Sequence, residues 1–166
     1  MTYKTITTDE IEILVSGFFT TRHQLRANTE VIGELTLRGI KMLGSFHSPD
    51  GRELEIEKMS WWKSIFEIRE GGVVVGTALP RGSFRREFLL DFGEQAYVLT
   101  PKGFGGRAWK LFDNMGTLLL EVSHRGAFRR GAYLIIRGEI DFPLMLFTYY
   151  LVNARWQEQR AAAAAT

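Results

Sequence analysis

The chain has no cysteine among its 166 residues. Disulfide scaffolds, thiolate metal sites and cysteine nucleophiles are therefore excluded, and the absence suits a reducing compartment. Proline is scarce, at four residues, and histidine scarcer, at three. The opening stretch, Met1 to Glu12, is polar and acidic, without a basic segment leading into an apolar one, so no secretory signal is expected and the expected location is cytoplasmic, peripheral to a membrane. What is present is a 45% apolar, 13% aromatic composition with 17 glycines. That excludes intrinsic disorder and describes one globular, turn-rich domain.

The net charge of +2 conceals an asymmetry. Residues 1–80 hold 9 Lys/Arg against 11 Asp/Glu, whereas residues 81–137 hold 10 against 5. A basic region of this kind attracts phosphates on lipid or nucleic acid; the competing reading is a solvated face that keeps the domain dispersed.

From Glu10 to Gly138 the chain breaks into short runs separated by Gly, Asn-Asp or Pro signals. Twelve strands are expected: Ile11–Ser16, Arg22–Ala27, Val31–Arg38, Met42–His47, Glu53–Met59, Ser64–Arg69, Val73–Leu79, Arg86–Phe92, Gln95–Thr100, Arg107–Asp113, Thr117–Ser123 and Ala132–Arg137. Leu54 and Ile56 alternate with Glu53, Glu55 and Glu57, giving one dry and one wet face. Ser48-Pro49-Asp50-Gly51 and Asp113-Asn114-Met115-Gly116 are turn sequences, because Gly, Asn and Asp tolerate positive φ and Pro presets the bend. An internal repeat runs through this pattern. Arg81-Gly82-Ser83-Phe84-Arg85-Arg86 returns 44 residues later as Arg125-Gly126-Ala127-Phe128-Arg129-Arg130, with Gly72 meeting Gly116 at the same offset. A weaker copy places Ser60-Trp61-Trp62-Lys63 in the position of Ser83-Phe84-Arg85-Arg86. Two or three copies are too few for a propeller.

The last element differs in kind. Phe142 to Val152 is apolar around its whole circumference, Asp141 is placed to cap it, and Arg155 stands near its expected C-terminal end. A helix from Phe142 to Trp156 is about 22 Å long, short of a hydrocarbon core of roughly 30 Å. About eight strands make a barrel filled by side chains alone, and about twelve leave room for a helix about 10–12 Å across. The expected fold is therefore mainly β: an antiparallel barrel of about twelve strands enclosing a C-terminal hydrophobic helix. The single domain is expected over 1–160, with the helix at about 141–157 and a disordered tail at 161–166.

The repeated strand–Gly-turn–strand units, Trp109-Lys110-Leu111-Phe112-Asp113-Asn114-Met115-Gly116-Thr117-Leu118-Leu119 above all, and the apolar helix Asp141–Arg155 that follows carry a family resemblance. The chain resembles the tubby C-terminal-like superfamily, which includes phospholipid scramblases and the LURP-one-related proteins of plants and bacteria. The likeness covers roughly Leu43 to Arg155. It implies a non-enzymatic module at anionic membrane lipid. The scramblases' calcium-binding segment and palmitoylated cysteines have no counterpart, so calcium-triggered scrambling is not carried over. Nor are the basic headgroup-binding residues of tubby proteins, whose positions have no match here.

Among candidate constellations, His23, His47 and His124 lack ligand spacing, and His47 and His124 sit beside turns as solvated or capping groups. Lys102-Gly103-Phe104-Gly105-Gly106-Arg107 lacks the Lys-Ser/Thr end and the following helix of a phosphate loop, and reads as a turn. Glu53, Glu55 and Glu57 form an exposed or edge-blocking face rather than a cation site. The sharpest candidates are the basic-aromatic connections: Arg81, Arg85, Arg86, Arg125, Arg129 and Arg130 as lipid-binding cations, with Trp61-Trp62-Lys63 as a third group. Aromatics beside guanidinium groups suit a headgroup interface or a stacking surface for single-stranded nucleic acid. The alternative is that Trp61, Phe84 and Phe128 plug gaps in the barrel while the arginines stay wet. No acid/base pair or nucleophile–base set is recognisable, so neither an enzyme nor a cofactor is expected. The expected partner is anionic membrane lipid, then a protein, with nucleic acid last.

Overall fold

The computed structural model describes residues 9–60, 62–82, 86–126 and 129–166. Its first six strands are β1 (Glu10–Ser16), β2 (Thr20–Ala27), β3 (Glu30–Arg38), β4 (Leu43–His47), β5 (Glu53–Ser60) and β6 (Ile65–Glu70). β7 (Val73–Arg81), β8 (Glu87–Phe92), β9 (Gln95–Pro101), β10 (Ala108–Asp113), β11 (Leu118–His124) and β12 (Gly131–Ile136) follow, and then helix α1 (Phe142–Ala164). Each strand pairs antiparallel with its neighbours in sequence, and β1 closes on β12 in a register from Glu10↔Ile135 to Leu14↔Gly131. The expected twelve-stranded barrel around a C-terminal helix is the fold observed, with strand ends within two residues of those read from the sequence.

Closure follows from the alternation. Ile11 and Ile13, Leu35 and Leu37, Leu54 and Ile56, and Leu120 and Val122 all point inward and are buried. The intervening residues meet water and pair along and between strands: Arg69 contacts Glu57 and Glu67, Arg52 contacts Glu70, and Glu121 lies between Lys110 and Arg137. This apolar-in, polar-out wall is the reverse of a lipid-spanning barrel. The turn sequences behave as their chemistry requires. Gly51 donates to the Ser48 carbonyl and Gly116 to that of Asp113, whose carboxylate accepts the amides of Met115 and Thr117. At two inward positions only hydrogen fits: a Cβ on Gly33 would overlap the Phe46 ring, and one on Gly76 the Phe92 ring.

The 44-residue repeat is structural. It carries β8 onto β12 end for end, and β6 and β7 onto β10 and β11, four strands farther round the barrel. Gly72 and Gly116 take φ of +79° and +83°, as their equivalence requires.

Helix α1 fills the bore. Leu144 to Val152 are all buried, and Thr148 satisfies its hydroxyl within the helix by donating to the Leu144 carbonyl. No helix among the described residues is long and apolar enough to cross a membrane. Three details differ from the sequence expectation. Asp141 stands at the N-cap, but its side chain makes no capping hydrogen bond. The helix runs on to Ala164 because alanine is the strongest helix former, so 161–164 is an exposed helical turn. Arg155 consequently lies within the helix, stacked 4.5 Å from the Phe88 ring and paired with Glu158, rather than at its terminus.

Candidate functional site

An up-and-down barrel puts alternate connections at opposite ends, and here the two ends differ in chemistry. The turn end carries residues 28–29, 48–52, 71–72, 93–94, 114–117 and 137–141, with four acids, two arginines and no aromatic residue. The loop end carries the connections β1–β2, β3–β4, β5–β6, β7–β8, β9–β10 and β11–β12, with described residues 17–19, 39–42, 62–64, 82, 86, 102–107, 125–126 and 129–130. Those described residues include eight Lys/Arg, four Phe/Trp and no Asp/Glu. Phe18, Phe19, Ile40, Trp62 and Phe104 are between 91% and 99% exposed there. Lys41, Lys63, Arg86, Lys102, Arg107 and Arg129 are exposed among them.

The helix ties this end together. It enters at the turn end, where Phe142 packs on Phe46, and leaves at the loop end. There Tyr150 donates to the Met42 carbonyl at 2.7 Å, and both Trp156 and Trp109 donate to the Gly106 carbonyl, at 2.7 and 3.2 Å.

The two repeated basic connections, β7–β8 and β11–β12, do lie at the same end, together with β5–β6. Arg81 closes β7 and donates to Glu87 at 3.3 Å. Arg86 and Arg129 are exposed. Arg125 belongs to the wall, paired with Glu12 at 2.8 Å and lying 5.9 Å from the Tyr133 ring. Arg130 bridges two connections, donating to the Gly17 carbonyl at 2.6 Å beside Phe18. Arg85, Trp61, Phe84 and Phe128, and with them the plugging alternative, lie outside the described residues.

The histidines separate as well. His47 is exposed and 3.3 Å from Glu53, and His124 sits beside its turn with Nδ1 2.8 Å from the Gly126 carbonyl. Burial draws His124 below its ordinary pKa against the opposing Gly126 hydrogen bond, with Arg160 and Arg107 adding to the lowering. His23 is different: it is buried between Thr21 and Tyr149, with Oγ1 2.8 Å from Nε2 and the phenol oxygen 2.6 Å from Nδ1. Burial, then the fields of Arg130 and Arg160, lower its pKa to about 3, so it is neutral at physiological pH. Burial raises the Tyr149 phenol correspondingly. Among the described residues no group of three His, Asp or Glu side chains is placed to hold a metal.

Sequence reasoning missed two features. The exposed Phe18-Phe19, Ile40-Lys41 and Phe104 join the repeated basic connections only once alternate loops are sorted by end. His23 shares the parity of Leu25 in β2, which was signal enough to turn it inward. Neither a family model, a curated protein nor a solved structure matches the chain.

Proposed function

We propose that this protein is a non-enzymatic module that binds anionic phospholipid surfaces through the loop end of its barrel. One observation carries the reading: among the described residues, the six connections at one end hold eight cations and four aromatics with no acid, while the other end is acidic and lacks aromatics. Cations near an acidic leaflet contribute about 1 kcal/mol each at low salt, and exposed aromatic rings settle at the headgroup level. The bore is filled by α1, which favours docking on a surface over carrying a lipid inside. The reading places the protein at the periphery of a membrane in the cytoplasm. It keeps the assignment to the tubby-like group, in accord with a barrel closed round a C-terminal helix.

Co-sedimentation with vesicles tests it. Phosphatidylserine-containing vesicles should retain the protein in a salt-sensitive way, and neutral phosphatidylcholine vesicles should not. Replacing Lys63, Lys102 and Arg129 by Ser should weaken binding about 100-fold, three cations at about 1 kcal/mol each. The turn-end variant with Arg52→Ser and Arg137→Ser should bind as wild type. Equal losses in both variants would mean non-specific charge attraction. Preference for oligonucleotides would identify a nucleic-acid reader, and binding to neither at low salt would leave a protein-interaction scaffold.

A further inference from the structure

Just inside the loop end, a cavity of about 20 Å³ lies between β1, β2, β12 and α1. Thr21, His23, Arg130, Tyr149, Asn153 and Arg160 are among the residues that line it. We propose that it is a seat for an oxyanion of the phosphate type, with one oxygen held by Asn153 inside the cavity and the others between Arg130 and Arg160. The inference rests on the cavity and not on membrane docking, since a free oxyanion can fill it in solution.

The cavity's chemistry is a surplus of donors. The other polar side chains that α1 buries have partners: Thr148 in the helix, Tyr149 at His23, Tyr150 at Met42 and Trp156 at Gly106. Asn153 is the exception. It is 6% exposed, and its Nδ2 is buried without an acceptor. The three other such atoms among the described residues are arginine Nε atoms, on side chains already engaged in ion pairs. A buried donor without an acceptor is costly, so a volume beside it implies a missing acceptor. Two guanidinium groups stand at the same opening, and no carboxylate lines it. Each spends one nitrogen elsewhere, Arg130 on the Gly17 carbonyl and Arg160 on His124 at 3.2 Å, which leaves further N–H groups to donate. A volume of this size admits one oxygen atom, so the body of the anion stays at the opening, where paired guanidiniums recognise it best.

The groups facing the seat are His23 and Thr21 from β2, Tyr149, Asn153 and Arg160 from α1, and Arg130 from the β11–β12 connection. Arg130 and Arg160 both oppose protonation of His23. An anion between them screens that field, so occupancy should raise the pKa of His23.

The test is an NMR titration of the full chain with sodium phosphate, with sodium chloride at matched ionic strength as the control. Saturable shifts of the Asn153 side-chain amide and the His23 ring are expected with phosphate alone. Arg160→Gln, at an exposed position, should weaken binding about tenfold by removing one charge-assisted contact. Asn153→Asp should abolish binding by placing a carboxylate in the seat; should it fail to fold, Arg160→Gln decides alone. Glycerol phosphate distinguishes the sources. Binding as tight as that of inorganic phosphate supports a lipid headgroup, and binding of inorganic phosphate alone supports a free anion. Non-saturating shifts confined to exposed side chains such as Lys102 and Arg129, or equal titrations in wild type and Arg160→Gln, would overturn the proposal and leave a water in the cavity. Vesicle binding by Arg160→Gln separates the two readings: retained docking with weakened phosphate binding leaves both standing on their own evidence.

Discussion

Leu146 lies fully buried midway along the part of α1 that fills the bore, with the barrel wall on every side. Leu146→Asp perturbs that packing in two separable ways. Removing the isobutyl group forfeits its transfer energy and leaves a gap, together about 2–5 kcal/mol. The new carboxyl has no partner to meet and folds as the neutral acid. Holding a group of pKa about 3.9 protonated at pH about 7 costs about 4 kcal/mol at about 1.4 kcal/mol per unit. The sum, about 6–9 kcal/mol, rivals the total stability of a typical domain, about 5–15 kcal/mol. The sign with pH is fixed. The folded-state pKa is raised, so the carboxyl penalty is absent below about pH 4 and grows as pH rises. Chemical denaturation should therefore find Leu146→Asp less stable than wild type at every pH, with the difference between them widening from about pH 4 to about pH 7. Leu146→Asn lacks the titrating group and should show a difference that does not change with pH. A Leu146→Asp protein that unfolds like wild type, or whose deficit is flat with pH, would refute a helix enclosed by the barrel.

Three further outcomes are expected. His23 is held neutral, with its pKa lowered from 6.5 to about 3, so the unfolded chain takes up its proton first. Stability contributed this way is present above about pH 6.5 and lost as pH falls towards about 3, and His23→Gln should flatten that part of the acid-denaturation curve. Gly72→Ala and Gly116→Ala, both at positive φ with open space around them, should each cost about 1 kcal/mol in urea melts, while Gly105→Ala, also in open space but without positive φ, should be neutral. Deleting 161–166 should leave the melting temperature unchanged, whereas deleting 141–166 should give an aggregating or dye-binding product without a cooperative transition.

The strands, their turns and the terminal helix were legible in the sequence because each rests on local chemistry. Period-two alternation such as Glu53 to Glu57 states which side is dry before any partner is known. Asp113-Asn114-Met115-Gly116 specifies its own bend, and a segment apolar all round, Phe142 to Val152, must be enclosed by something. Even the twelve-strand closure followed from the size of what had to be enclosed. The helix runs past the end read from the sequence because 161–164 has no packing partner and alanine needs none to stay helical. The candidate site was legible only in part. The repeated Phe-Arg-Arg sequence marked two of the six connections at the loop end, but Phe18, Ile40 and Phe104 carry no repeat and no local signal of company. They meet because antiparallel closure sends alternate loops to one end, a consequence of topology and not of any single segment. The same closure brings His23 of β2 against Tyr149 of α1, 126 residues away, and lines one cavity with Asn153, Arg130 and Arg160. Local sequence fixes what a residue prefers to do; only the closed barrel fixes which distant residues share one field and one volume.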